Sequence, residues 1–152
     1  GAVAVARIPT REDVERACAR FVGTIQQTPP AYSAVHVGGV RAYQLARQGQ
    51  TERLAAGLVS RPVEIRKIEA LAYEWPRLRV RVVCGKGTYI RVLARDLGAS
   101  MGVGGYLTGL RRTRIGAFDV RGACGMDTLP DVLTQADLMP IPAMEGGSIR
   151  PA

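Results

Sequence analysis

The first pattern along the chain is that of an amphipathic helix. Thr10 can cap a helix whose first turn carries Glu12 and Asp13. Apolar side chains then recur at spacings of three and four residues, namely Val14, Ala17, Cys18 and Phe21. The pattern predicts a helix with one apolar face that stops at Gly23.

The following segment changes character. Pro29 and Pro30 favour an extended backbone. Apolar residues then flank Gly38-Gly39, a pair suited to a two-residue hairpin turn, and a short helix closed by Gly49 follows. Residues 51–60 show no clear period, so we expect a loop there.

Alternation of apolar and polar residues returns at Arg61 and predicts three strands. Their apolar positions are Val63 and Ile65, then Leu71, Tyr73 and Trp75, then Leu78, Val80 and Val82. The last strand carries arginine at the intervening positions 77, 79 and 81. That arginine face is either solvated or directed at phosphate, and the local pattern leaves both open.

A second amphipathic helix follows these strands. Ile90, Leu93, Ala94 and Leu97 repeat at helical spacing, and Gly98 supplies an expected stop. A basic segment then leads to a strand-like end near Val120, after which the sequence is rich in loop-forming residues. We therefore assign residues 1–120 to one domain and 121–152 to a loop-rich tail.

Charge narrows the class of partner. The 152 residues include 21 Lys and Arg against 13 Asp and Glu, a formal net charge of +8, which favours a polyanionic partner. Arginine dominates the positive charge, and its planar guanidinium binds phosphate edges in a bidentate way, so nucleic acid ranks first. The three cysteines form no CxxC pair, and we interpret them as reduced packing residues of a cytoplasmic protein.

Familiar glycine and metal motifs are excluded by spacing. GKGT is not a phosphate-binding P-loop, because Gly87 rather than Ser or Thr follows Lys86, and GVGGYL breaks the dinucleotide pattern at Leu107. One histidine and three scattered cysteines do not group into a metal site. His36 is therefore expected to be a surface or hairpin residue, and no metal is expected.

The stretch CGKGTYIRVLARDLG, residues 84 to 98, is a stronger candidate for a functional site than these excluded motifs. It joins the end of a strand to the start of a helix, where free backbone N–H groups attract phosphate. Tyr89 and Arg91 are two residues apart in the first turn and should diverge. One could enter a cleft while the other pairs with an anion; equally, Tyr89 could pack on the sheet and Arg91 be solvated.

Three motifs together resemble the bacterial TruB family of tRNA pseudouridine synthases. They are QTPPAYSAVHVGGVRAYQLARQG, VCGKGTYIRVLARDLG and YLTGLRRTRIGAF, and the resemblance runs from about Phe21 to Phe118. It implies isomerisation of the T-loop uridine at position 55 of tRNA without a metal or organic cofactor. It also implies that the uridine is flipped out of its stack.

The resemblance implies roles for matching residues. Tyr89 would pack against the flipped base and is a candidate for moving its C5 proton. Arg91 would pair with the catalytic aspartate, and Leu110 would line the base pocket. Lys86 would support the turn or approach phosphate. We expect further phosphate contacts from the basic segment, namely from Arg111, Arg112 and Arg114.

The chain departs from the family pattern in several places. The GxLDPxAxG-type loop that carries the aspartate nucleophile is absent from the sequence, as is an upstream tyrosine that completes the base stack. The small C-terminal PUA domain is not expected, and His36 stands where the family usually has lysine. Asp13 and Asp96 lack the glycine-rich setting, so we expect Asp13 to serve its helix terminus and Asp96 to be solvated or ion-paired.

Two interpretations follow from these departures, ahead of a more remote third, an unrelated basic ribosome-associated protein. In the first, the chain is a piece of a tRNA pseudouridine synthase whose nucleophile lies on a missing upstream half, so the isolated chain is inactive. In the second, it is a non-catalytic RNA-binding or tRNA-binding module derived from that family. For either, we expect an α+β fold with a mixed, mainly antiparallel sheet flanked by helices, and an open sheet edge that favours aggregation or a partner.

Overall fold

The computed structural model describes residues 7–138 together with residues 5 and 140. It has two compact units, Gly1–Thr108 and Gly109–Ala152. Among its described residues, the first unit holds four helices, α1 (Arg11–Arg20), α2 (Ala42–Arg47), α3 (Thr51–Gly57) and α4 (Ile90–Ser100). Its strands are β1 (Gly23–Gln27), β2 (His36–Val37), β3 (Val40–Arg41), β4 (Arg61–Glu74) and β5 (Arg77–Cys84).

Helix α1 begins as its sequence predicts. The Thr10 side chain accepts a hydrogen bond from the Asp13 N–H, and the Asp13 side chain accepts one from the Thr10 N–H. This reciprocal capping box satisfies two N–H groups that a helix start otherwise leaves unpaired. The helix ends at Arg20 rather than Gly23, and Gly23, with a φ of 111°, opens β1 instead.

The main sheet is antiparallel, with strand order β1-β4-β5. Strand β4 is continuous over 14 residues and replaces the first two of the three predicted strands. Register shifts between Ile65 and Lys67 and between Ala70 and Ala72 interrupt its alternation, so the sequence looks like two short strands. The expected α+β class is confirmed; the sheet, expected to be mixed and mainly antiparallel, has only antiparallel pairs among the described residues.

The first hydrophobic core lies between this sheet and two helices. Val14, Ala17 and Cys18 of α1 meet Leu97 of α4, and half-buried sheet residues pack against them: Ile68, Ala70, Tyr73, Leu78 and Val80. The arginines of β5 alternate with these apolar positions and are exposed. Arg81 lies 3.6 Å from the Glu69 carboxylate, so at this position the arginine face takes part in a surface ion pair.

A second core holds the segment between β1 and β4 together. Val37, Ala42, Leu45 and Leu54 are buried against one another. Fully burying such aliphatic side chains contributes about 1.5–3 kcal/mol each. The predicted hairpin turn at Gly38-Gly39 is present between β2 and β3, with φ values of 56° and 81°. The predicted loop at 51–60 is wrong for its first part, because α3 forms there and buries Leu54.

Helix α4 passes through the glycine that was expected to stop it. Gly98 is buried inside α4, and a Cβ there would lie 2.0 Å from the Gly104 carbonyl oxygen. The helix ends two residues later, and Gly102 adopts the left-handed φ of 74° that follows the C-terminus. Gly98 therefore serves close backbone packing, and Gly102 serves the turn.

The second unit contains a two-stranded ribbon and short turns. Strands β6 (Arg114–Ile115) and β7 (Phe118–Asp119) pair antiparallel. Three single 3-10 turns follow, at Val120–Gly122, Met126–Thr128 and Gln135–Asp137. Residues 139 and 141–152 of the predicted tail lie outside the described residues.

The helices of the described chain are short. The longest of the four in the first unit, α4, has 11 residues. Within residues 7–138, no helix is long and apolar enough to cross a membrane.

The three cysteines occupy different environments. Cys18 is buried in the first core, as expected of a packing residue, and Cys84 is half-buried. Cys124 is exposed, so the packing interpretation is wrong for it. All three are free thiols.

Candidate active site

Tyr89 lies at the corner where β5 gives way to α4. It is the N-cap residue of α4, with an extended backbone (φ −95°, ψ 103°). The turn before it is closed by a hydrogen bond from the Thr88 hydroxyl to the Gly85 carbonyl, 3.0 Å. Gly87 has a left-handed φ of 80°, which suits glycine, and Lys86 is exposed. The turn therefore presents Tyr89 and leaves the lysine in solvent.

The main chain of Tyr89 is held by a side chain from β1. The Tyr89 N–H donates to Oε1 of Gln27 at 2.9 Å, and Nε2 of Gln27 donates to the Tyr89 carbonyl at 3.3 Å. Gln27 is 1% exposed. Both ends of its amide are satisfied, as a buried polar group requires.

The phenol of Tyr89 is half-buried and meets a guanidinium. Nη2 of Arg61, at the start of β4, lies 3.4 Å from the Tyr89 hydroxyl, which is long for a hydrogen bond. The guanidinium carbon is 5.7 Å from the ring centroid, within the range of a cation–π contact. The ring is thus beside a positive charge and is not sealed in either hydrophobic core.

Arg91 points to a different partner. Its Nη2 donates to the Tyr32 carbonyl at 2.8 Å, and the residue is exposed. Tyr89 and Arg91 therefore diverge, Tyr89 toward β1 and β4 and Arg91 toward the loop that precedes β2. The guanidinium of Arg61 therefore lies at the Tyr89 phenol and that of Arg91 at the Tyr32 carbonyl, and such groups bind carboxylates and phosphates in a bidentate way.

The remaining predicted site residues belong to the second unit. Leu110 is 68% exposed, and three arginines of the basic segment are exposed as well: Arg111, Arg112 and Arg114. Arg114 begins β6 and is paired with Asp119 across the ribbon. The Arg121 guanidinium donates a hydrogen bond to each oxygen of the Asp119 carboxylate. The Arg121 side-chain hydrogen bond and its backbone N–H lower the pKa of Asp119 to about 2, with a smaller effect from the charge of Arg114. Arg111 and Arg112 precede β6 in the chain and are exposed.

The two carboxylates considered as nucleophiles both have structural partners. The Thr10 backbone N–H and then the Arg16 side chain hold the pKa of Asp13 at about 2, and Arg7 adds a further contact. Asp96 pairs with Arg95 at 2.7 Å. Asp13 therefore serves its helix terminus and Asp96 is ion-paired, as expected.

The part of the chain that the structure describes has no cluster of side chains suited to a metal ion. Residues 7–138 contain no group of three or more His, Cys, Asp or Glu side chains that could hold a metal ion. His36 lies exposed on β2, opposite Arg41, as expected of a hairpin residue.

Sequence reasoning missed Gln27 and Arg61. They face each other across β1 and β4, since Gln27 is paired with Arg61 in the register of the two strands. Gln27 is 62 residues from Tyr89 along the chain, and Arg61 is 28. No local spacing encodes such contacts, because they depend on the pairing of the strands.

Two family models match the chain on either side of this corner. Residues 2–90 match the family model described as TruB family pseudouridylate synthase (N terminal domain). Residues 91–140 match the model described as tRNA pseudouridylate synthase B C-terminal domain. The boundary between the two matches falls directly after the Tyr89-Ile90 step.

Individual relatives agree with the family models. A tRNA pseudouridine synthase B from Phocaeicola vulgatus is 45% identical over 129 residues, 85% of this chain and 53% of the relative. One from Bacteroides fragilis is 53% identical over 107 residues, 70% of this chain and 44% of the relative. The chain spans about half the length of these curated relatives.

A solved structure agrees as well. A chain in the crystal structure of a Cbf5-Nop10-Gar1 complex superposes with a TM-score of 0.57 at 29% identity, covering 78% of this chain and 29% of that one. The match to a family model over more than half of the sequence, together with these relatives, shows that the chain belongs to the TruB family of pseudouridylate synthases.

Proposed function

We propose that this chain is part of a tRNA pseudouridine synthase that isomerises a uridine of the T-loop. The observation that carries the proposal is the placement of Tyr89 at the strand-to-helix corner, with a half-buried phenol beside the Arg61 guanidinium. A flipped pyrimidine needs an aromatic or aliphatic wall, and Tyr89 offers one. Family membership supplies the reaction.

In this proposal Tyr89 packs against the extruded uracil and moves the C5 proton. Arg91 pairs with a nucleophilic aspartate carried by sequence outside the chain and keeps that carboxylate ionised. Its exposed guanidinium, now bonded only to a main-chain carbonyl among the described contacts, supports that role. Leu110 forms an apolar part of the base pocket.

The tRNA backbone is bound by exposed cations. The net charge of +8 favours RNA, and phosphate contacts position an RNA without reading its sequence. We assign them to Lys86 of the turn and to three arginines of the basic segment, Arg111, Arg112 and Arg114. With tRNA as the substrate, we also propose a cytoplasmic location.

The same proposal divides the chain functionally. We assign residues 1–120 to the C-terminal part of a catalytic domain and residues 121–152 to a loop-rich tail. The succession of single 3-10 turns after Val120 supports the second assignment. A missing upstream half, which the shorter span relative to the curated relatives supports, completes the active site.

A reconstitution experiment tests the proposal. The chain is mixed with a separately produced upstream half, and T-loop pseudouridine is measured in a tRNA transcript. A transcript with cytidine at the target position is the control. We expect product from the mixture and none from either part alone.

Three other outcomes are informative. A mixture that assembles and binds tRNA without forming product contradicts the enzymatic assignment and favours the RNA-binding module. Product from the isolated chain would show that the nucleophile lies within these 152 residues. A mixture that neither binds tRNA nor reacts contradicts both functions.

A further inference from the structure

Gln27 makes an unusual pair of hydrogen bonds for a core residue. Its amide binds the N–H and the carbonyl of the same residue, Tyr89, at 2.9 and 3.3 Å. An amide that satisfies both groups fixes the position and the direction of that peptide segment. A buried apolar residue of similar size would fill the space without fixing either.

The Tyr89 carbonyl is also the first acceptor of α4. It receives hydrogen bonds from the N–H groups of Val92 and Leu93 at 3.1 and 3.0 Å. Tyr89 caps the helix without a side-chain cap of its own, so Gln27 ties the start of the helix to the end of β1. A shift of Gln27 would therefore move the Tyr89 backbone and the side chain with it.

Arg61 acts on the other end of the same residue. It is the direct partner of Gln27 across the β1-β4 ladder, and its guanidinium reaches the phenol oxygen at 3.4 Å and the ring face at 5.7 Å. Two neighbouring residues of the sheet thus contact the main chain and the ring of Tyr89. Arg61 restricts the orientation of the Tyr89 ring, and Gln27 restricts the position of the Tyr89 backbone.

We propose that Gln27 and Arg61 are positioning residues for Tyr89: Gln27 locates its main chain and Arg61 orients its phenol. The inference rests on the proposed function, in which the phenol must meet the base. Reacting groups have to be held within about 0.5 Å of their productive geometry. A displacement of about 1 Å can lower a rate about 100-fold. Two contacts that hold one side chain in place would therefore protect the reaction rate.

The test uses the chain together with its upstream half and measures kcat and KM for tRNA. Gln27→Met removes both hydrogen bonds at similar volume, and Arg61→Gln removes the guanidinium. We expect kcat to fall about 10-fold or more in each, with KM within about twofold of wild type. Arg66→Gln is the matched control, because Arg66 is an exposed arginine of the same strand that pairs with Glu64.

Hydrogen exchange supplies a readout that is independent of turnover. In Gln27→Met the Tyr89 amide should exchange at least 10-fold faster, while the amide of buried Leu97, further along α4, keeps its wild-type rate. Gln27→Glu keeps the Oε1 acceptor and loses the donor, so its kcat should lie between those of wild type and Gln27→Met. If Gln27→Met does not fold, Gln27→Glu and the exposed Arg61→Gln carry the test.

Several outcomes overturn the inference. Wild-type kcat in Arg61→Gln, or in a folded Gln27→Met whose Tyr89 amide exchanges faster, would show that positioning is unimportant. A raised KM with unchanged kcat in Arg61→Gln would make Arg61 a phosphate contact. No product from the wild-type mixture would remove the proposed function itself, and the inference with it; the exchange rates would then describe a purely structural tether.

Discussion

The glycine inside α4 gives the most direct test of the fold that carries Tyr89. Substitution of Gly98 by alanine adds one methyl group to a buried helical position. Its Cβ would lie 2.0 Å from the Gly104 carbonyl oxygen, 2.2 Å from the Gly104 carbonyl carbon and 2.6 Å from the Gly105 nitrogen. All three are backbone atoms, so no side-chain rotation relieves the overlap.

Two opposing terms decide the sign of the change in stability. Alanine in a helix interior is favoured over glycine by about 1 kcal/mol. Overpacking a dense site costs about 1–3 kcal/mol, and a backbone overlap on three atoms belongs at the upper end of that range. We therefore expect Gly98→Ala to lower the free energy of unfolding by about 2 kcal/mol.

Urea denaturation followed by circular dichroism measures this difference. With an m-value of about 2 kcal/mol/M, the midpoint should fall by about 1 M. Ala99→Gly, at an exposed position of the same helix, is the control and should cost only the helix preference of about 1 kcal/mol. A Gly98→Ala variant that is more stable than wild type would show that the close approach of residues 104 and 105 is wrong.

Three further predictions concern charge and chemistry. Since the folded pKa of Asp13 is about 2 against an ordinary 3.8, its ionised form stabilises the fold above pH 4 and that contribution is lost as the pH falls toward 2. Urea midpoints of Asp13→Asn should accordingly change less than those of wild type between pH 4 and 2, and equal slopes would contradict the assignment. Tyr89→Phe, assayed with the upstream half, should retain tRNA binding within about twofold while turnover falls about 100-fold or more; retained turnover would limit Tyr89 to stacking. Arg112→Gln should weaken tRNA binding and reduce the slope of log K against log salt by about 0.7–0.9, and an unchanged slope would remove its phosphate contact.

Local features of the fold could be predicted because neighbouring residues determine them. The capping box of Thr10 and Asp13 spans four residues, and the left-handed turn at Gly38-Gly39 needs only its own two glycines. The strand-to-helix corner at Tyr89 could also be predicted, because the alternation typical of a strand ends just before it and helical spacing begins just after it. The family resemblance then supplied roles that no local pattern contains.

Other features depended on packing between distant segments. Gly98 looked like a helix stop, yet it is required by the approach of Gly104. The helix α3 has no readable period, and it forms where Leu54 packs against Val37. In β4, bulges shift the side chains by one position, which hides a long strand from any count of alternation.

The sequence by itself determined the family, the fold class and the residue at the corner, because motif order and short-range periodicity are written along the chain. Only the tertiary structure decided what holds that residue. Gln27 and Arg61 reach Tyr89 because β1 and β4 pair in one register. A register is a relation between two strands: the alternation within each strand indicates which face is buried, but it does not say which residue of the partner strand lies opposite.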